Sequence, residues 1–126
     1  MTVVLDASAL LVVLHDEPGA TAVEPLLDGA EVSAVNWSEV VQKAAAGGVD
    51  VTRLRDDVEA LGVRVVIFDA DAAEATAELW AATTDQGLSL GDRACLALAR
   101  TRRATAVTAD RAWADVHVGV TVQVVR

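Results

Sequence analysis

Four short stretches carry an acid at a point where the chain is set to enter a helix or a turn. They are LDAS around Asp6, VNWSE ending at Glu39, SLGDR around Asp92 and TAD ending at Asp110. Each acid has a local explanation. Asp6 suits the cap of a helix opening at Ala7. Ser89 with Asp92, and Asn36 with Glu39, are spaced as capping boxes. An acid in a first helical turn also complements the helix dipole. Asp110 suits a turn. Gathered in one place, the same acids would do something capping does not require. Carboxylates sharing a crevice repel one another, and desolvation adds to the cost. Ser or Thr would cap as well without that penalty. A divalent cation removes the repulsion. Oxygen donors without Cys or His suit Mg²⁺ or Mn²⁺. Mg²⁺ typically takes one or two carboxylates directly and keeps several waters, which the remaining acids can hold. Such an ion makes a bound water easier to deprotonate and neutralises charge on a phosphoryl oxygen. The chemistry expected is therefore phosphodiester hydrolysis, with Asp6, Glu39, Asp92 and Asp110 as the catalytic and metal-ligating set. The hydroxyls of Ser8 and Thr108, two residues from Asp6 and Asp110, either steady those carboxylates or cap local turns. Asp69 and Asp71 read as caps, and Asp115 as a surface residue rather than a peripheral metal contact.

The acids meet only if the elements bring them together. Residues 2–6 (TVVLD) are a continuous apolar run ending in an acid, as a buried parallel strand would read. Further strands are expected at 31–35, 64–68, 105–109 and 121–125. Helices are expected at 7–16, 20–28, 36–47, 50–62, 70–86 and 91–103, with a short helical piece at 111–116. Pro25 predicts a kink or split in the second helix. Gly47-Gly48 ends the third. Asp50 is placed to cap the fourth, and Gly62 follows its end. Strands alternate with helices, and no Asn-Gly type hairpin signal lies between strands. This pattern gives an α/β fold with a mainly parallel sheet. Ligands of such sheets sit outside the carboxyl ends of the strands. With the first strand central, all four acids point into one crevice. The chain shows no linker or repeat, and 126 residues suit one domain, 1–126.

Composition narrows the partners. The formal net charge is −9, which argues against affinity for phosphates through Lys and Arg and for a basic partner or bound cations. A metal reconciles an acidic site with an anionic substrate. The chain has one lysine, Lys43, against nine arginines. Arg100, Arg102, Arg103 and Arg111 cluster in RTRRATAVTADR, either as a solvated helix end or as a contributor to substrate choice. The lone Cys95 excludes an internal disulfide and lies in an apolar helix, as a buried inert thiol would. One Cys and two separated His, His15 and His117, do not make a zinc site. The N-terminal stretch lacks a basic region and carries Asp6 among its apolar residues, unlike a signal peptide. No apolar run approaches the ~20 residues that span a bilayer. A soluble, cytoplasmic protein is expected.

In their order and spacing, LDASALLVVLHDEPGA, VSAVNWSEVVQK, LSLGDRACLALA and AVTADRAW resemble the PIN-domain family. More narrowly they resemble the VapC-type toxins of toxin–antitoxin pairs. The resemblance covers essentially the whole chain. It implies a three-layer α/β/α sandwich around a mainly parallel five-stranded sheet, and a Mg²⁺- or Mn²⁺-dependent endoribonuclease. The family's acidic site maps onto Asp6, Glu39, Asp92 and Asp110, with Ser8, Asn36 and Thr108 as polar helpers. The implied substrate is RNA, whose cleavage arrests translation or growth. The implied partners are a VapB-like antitoxin, with a DNA-binding N-terminal part and a toxin-wrapping C-terminal part, and a second copy of the chain in a homodimer. An acidic toxin suits a basic antitoxin tail, whose arginine would enter the metal crevice. Two departures stand out. Pro25 falls in a segment the family usually keeps helical, and Trp113 stands where Phe is common, a swap that should leave the site unaffected.

Other readings fit less well. A signalling receiver needs an acidic pair after its first strand and a late-strand lysine, whereas Asp6 has no acidic neighbour and Lys43 lies in an early helix. A haloacid-dehalogenase-like phosphatase needs a second Asp where Ser8 stands. The remaining alternative is a non-catalytic PIN-like module that acts only through its antitoxin. Four retained, mutually repelling acids argue against it.

Overall fold

A computed structural model of the chain describes residues 2–126. Its five strands are β1 (Val3–Leu5), β2 (Glu31–Ser33), β3 (Arg64–Val66), β4 (Thr105–Thr108) and β5 (Val122–Val124). They pair in the order β3-β2-β1-β4-β5, and every neighbouring pair is parallel. The sequence therefore yields the expected α/β sandwich with β1 at the centre. Alternation along the strands separates two cores. Val3, Leu5, Val32 and Val107 pack on one face with α1 (Ala7–Leu14), α3 (Ala34–Ala46) and α4 (Leu54–Ala60). Val4 and Ala106 pack on the other face with α7 (Leu90–Arg102), Leu79 and Trp113.

Pro25 acts as expected. The helix at 20–28 is split into α2 (Ala20–Val23) and a 3-10 turn (Glu24–Leu26) that holds the proline in its first turn. Three other expectations need correction. The helix at 70–86 is not continuous. It breaks into α5 (Ala70–Glu78), α6 (Trp80–Thr83) and a 3-10 turn (Thr84–Gln86). The hydroxyls of Thr76, Thr83 and Thr84 donate to carbonyls four residues back, at 2.7–2.8 Å, a competition that bends helices. Asp50 does not cap a helix, because α4 opens only at Leu54. Asp50 instead accepts from the Thr52 backbone N–H and hydroxyl in a local turn. Nor is Asn36 a cap: α3 starts two residues before it, with the Ser33 hydroxyl accepting from Val35 N–H.

The tertiary structure also separates the arginines. Arg100, Arg102 and Arg103 lie at the C-terminal end of α7, about 15 Å along the helix axis from Asp92. Arg102 Nε donates to Glu31 Oε1 at 2.8 Å, and Glu31 opens β2. These cations therefore lie at the amino end of the sheet. Arg111 follows β4 at the carboxyl end. Among the described residues, no helix is long and apolar enough to cross a membrane.

Candidate active site

Neighbouring strands β1 and β4 are the place where the chain's winding reverses, and ligands of open α/β sheets bind at such a switch. Asp6 leaves β1 there, Asp110 leaves β4, Glu39 enters from α3 and Asp92 from the first turn of α7. All four line one cavity of about 140 Å³, together with Ser8, Asn36 and Lys43. A larger hollow of about 570 Å³ lies between β3, α5 and α7, with Asp69 as its only carboxylate among the described residues. All four candidate acids border the smaller cavity, and none borders the larger.

Each acid divides its two oxygens. Asp6 is buried and caps α1, with Oδ1 accepting from Ala9 N–H at 2.8 Å and from the Ser8 hydroxyl at 2.7 Å. Its Oδ2 accepts from Thr108 at 2.5 Å and retains a second lone pair. Asp92 completes the capping box, with Oδ2 accepting from Ser89 N–H at 3.0 Å. Asp110 Oδ1 accepts from Ala112 N–H at 3.0 Å, capping a 3-10 turn that Trp113 anchors in the core. Glu39 Oε1 lies 3.4 Å from Asn36 Nδ2. The second oxygens of Asp92, Asp110 and Glu39 accept no hydrogen bond among the described residues. The choice between cap and ligand is thus not exclusive: one oxygen serves local structure and acceptor capacity remains for the crevice.

Thr108 ties the centre together. Its fully buried hydroxyl donates to Asp6 and accepts from Asp110 N–H at 3.0 Å. Ser8 binds across the same junction, accepting from Ala109 N–H at 2.9 Å. The two hydroxyls therefore bridge the ends of β1 and β4 as well as steadying single turns. Asn36 does the same between helices, its Nδ2 donating to the Gly91 carbonyl at 3.0 Å. Its Oδ1 is buried without a hydrogen-bond partner among the described residues.

The electrostatics follow from this crowding. Burial pushes the Asp6 carboxyl up to about 6 against the downward pull of Thr108, Ala9 and Ser8, and the charge of Asp92 adds to the rise. Burial, then Asp92, raises Glu39, while Lys43 and Asn36 draw it down. Cys95, buried on α7, is an inert thiol held well above its ordinary range by burial and then by the nearby acids. Asp69 caps α5 as expected, and Asp115 is exposed and does not border the cavity.

The PIN domain model matches residues 3–118. The chain belongs to the PIN domain family. Its fold agrees with solved PIN structures. A toxin–antitoxin complex from Klebsiella pneumoniae superposes with a TM-score of 0.73 at 22% identity, covering 94% of this chain and 95% of the other. FitAcB from Neisseria gonorrhoeae gives 0.71 at 21% identity, covering 95% of each. VapC20 from Mycobacterium tuberculosis, a sarcin–ricin loop cleaving toxin, gives 0.66 at 16% identity, covering 94% of this chain and 98% of the other. No curated protein sequence matches the chain significantly.

The donor set of this PIN domain suits a hard, hydrated cation. Among the described residues no three acidic, His or Cys side chains stand close enough to grip an ion unaided. One or two direct carboxylates with waters between the others match Mg²⁺ better than a closed cage would. The partnerless Asn36 Oδ1 offers an acceptor for one such water.

Two residues at this site escape a motif reading. Lys43 follows Glu39 by four positions, so the spacing alone places it on the same helix face. Gly91 is a buried glycine inside a helix, where Ala would be favoured by about 1 kcal/mol. The reason is Glu39: a Cβ on Gly91 would fall onto its Oε1. Gly91→Ala should therefore expel the Glu39 carboxylate while α7 stays folded. Melting temperature is expected to hold, because the higher helix propensity of Ala offsets the looser packing around Glu39. If the ribonuclease expectation from the sequence is correct, RNA cleavage should drop by about tenfold or more, the scale of a misplaced outer ligand. Cleavage at the wild-type rate would show that Glu39 needs no such room.

Proposed function

We propose that this PIN domain is a Mg²⁺- or Mn²⁺-dependent endoribonuclease and the toxin of a toxin–antitoxin pair. The observation that carries this reading is the division of oxygens. Four separate segments each bring a carboxylate to one crevice at the switch point and leave acceptor capacity unspent there. When bound, the cation acidifies a water and neutralises charge on the phosphoryl oxygens.

The chain's own residues set the geometry. Asp6, fixed by Ser8, Ala9 and Thr108, is the immobile anchor of the set. Asp92 and Asp110 are positioned by backbone N–H groups and border the same cavity. Glu39 has a raised proton affinity and the longest of the four side chains. It is the group to hold the proton leaving the attacking water. Proteins of the same fold support the partners. VapBC2 from Rickettsia felis is bound to a DNA fragment from its promoter, VapBC from Salmonella typhimurium is bound to DNA, and VapC20 is a sarcin–ricin loop cleaving toxin. The net charge of −9 suits a basic antitoxin segment laid over the acidic crevice, and a homodimer is expected.

Cleavage mapping on total RNA tests the reading. Purified protein with Mg²⁺ or Mn²⁺ should create a small set of discrete new ends, absent with a chelator and absent for Asp6→Asn. Expression alone should arrest growth, and the product of an adjacent small open reading frame should relieve the arrest. Growth arrest without any metal-dependent RNA ends would favour a module acting only through its partner.

A further inference from the structure

Cations are scarce in this chain, and several lie at the wrong end for the site. Arg100, Arg102 and Arg103 close α7 at the amino end of the sheet, where Arg102 is committed to Glu31. Lys43 is placed differently. It is exposed on α3, borders the acidic cavity and makes no ion pair among the described residues. Glu39 and Lys43 are spaced i, i+4, which on a helix face ordinarily gives a pair. Here the Glu39 carboxylate is drawn away to the bare backbone of Gly91 and held by Asn36, which leaves the ammonium unengaged.

Lys43 also borders a second hollow of about 250 Å³, and Ser8 and Lys43 line both spaces, so the two adjoin at these side chains. The far rim of the second hollow carries Arg126. Glu17 holds it, with Oε2 3.4 Å from Arg126 Nη1 and Oε1 3.3 Å from His15 Nδ1. Arg111 Nε donates to the Arg126 carbonyl at 3.0 Å without itself lining the hollow.

A crevice of four acids draws in a metal and one phosphate, but it repels the phosphates on either side. Those need cations outside it, and sequence-independent affinity for a nucleic-acid strand comes from such contacts. We propose that Lys43 grips the phosphate next to the scissile one, and that the RNA strand leaves the acidic cavity along this groove toward Arg126. This path rests on the ribonuclease reading.

The test is a salt titration of binding, followed by fluorescence anisotropy. The probe is a pool of short, fluorescein-labelled single-stranded RNAs of random sequence. The protein is the full chain carrying Asp6→Asn, so that the probe stays intact. Lys43→Ala and Arg126→Ala should each weaken binding and reduce the slope of log K against log salt by about 0.7, the value for one lost single-strand phosphate contact. Lys43→Arg should keep the slope. Arg100→Ala and Arg103→Ala, at the other end of the sheet, should change neither affinity nor slope. The path is overturned if Lys43→Ala and Arg126→Ala keep the parent slope, or if the Arg100 and Arg103 variants lose as much. A parent protein that binds none of the pool overturns the path and the ribonuclease reading together.

Discussion

Asp6→Asn is expected to abolish metal-dependent RNA cleavage and, in the same molecule, to make the metal-free protein harder to melt. The second effect follows from the carboxyl's position. Asp6 is 4% exposed, and burial raises it from 3.8 to about 6. Below pH ~4 the group is protonated in both folded and unfolded chains and costs nothing. As pH climbs through about 6, the folded state must hold a charge it disfavours, so the stability present at low pH is lost. At neutral pH the loss is roughly 3 kcal/mol, from about two units at 1.36 kcal/mol each. An amide keeps the hydrogen bond from Ala9 and can offer an N–H to Thr108, whose oxygen also accepts. The variant should therefore gain up to that amount at pH 7, on the order of 10 °C in melting temperature for a chain of this size. The gap between variant and wild type should shrink as pH falls from 6 and vanish near pH 4. Saturating Mn²⁺ should close it from the other side, by stabilising the wild type alone. Melting curves across pH, with and without metal, decide the matter. A variant less stable than wild type at pH 7 in the absence of metal would mean that the hydrogen bonds to Asp6 already satisfy its charge and that no ion is needed to offset it.

The second large effect is a contrast at Asp92. Asp92→Asn retains an oxygen for Ser89 N–H, so the capping box survives and α7 keeps its start. It removes the negative charge that raises both Asp6 and Glu39. The metal-free fold should be as stable as wild type or slightly more so at pH 7, while cleavage falls by about a hundredfold or more, as when a group stabilising charge in the transition state is lost. Asp92→Ala loses the same chemistry and the box as well, which should cost about 1 kcal/mol. Chemical denaturation separates the two variants, and a cleavage assay joins them. If Asp92→Asn cleaves like wild type, the residue is only a cap. If both variants unfold alike, the charge itself supports the helix.

These expectations mix what is local in the chain with what is not. The split at Pro25, the cap at Asp6 and the Ser89–Asp92 box could be read from a few neighbouring residues, because caps and prolines act within one helical turn. Asn36 shows the limit. Its spacing to Glu39 fits a capping box, but Ser33 takes the cap, and the Asn36 amide instead reaches Gly91 on another helix. The break in the Ala-rich segment at Leu79 is likewise hidden, since each residue there tolerates a helix and three threonine hydroxyls together bend it.

Taken by itself, the sequence determined the alternation of strands and helices, the buried character of the first strand, and the presence of an acid at four junctions. Periodicity and junction chemistry are properties of consecutive residues. Only the tertiary structure decided which junctions meet. The order β3-β2-β1-β4-β5 places Asp6 and Asp110 side by side and lets Thr108 join them. The same order sends three of the four clustered arginines to the opposite end and leaves Lys43 at the mouth of the crevice. Strand order sums many weak contacts between distant residues, so no single stretch of the chain encodes it.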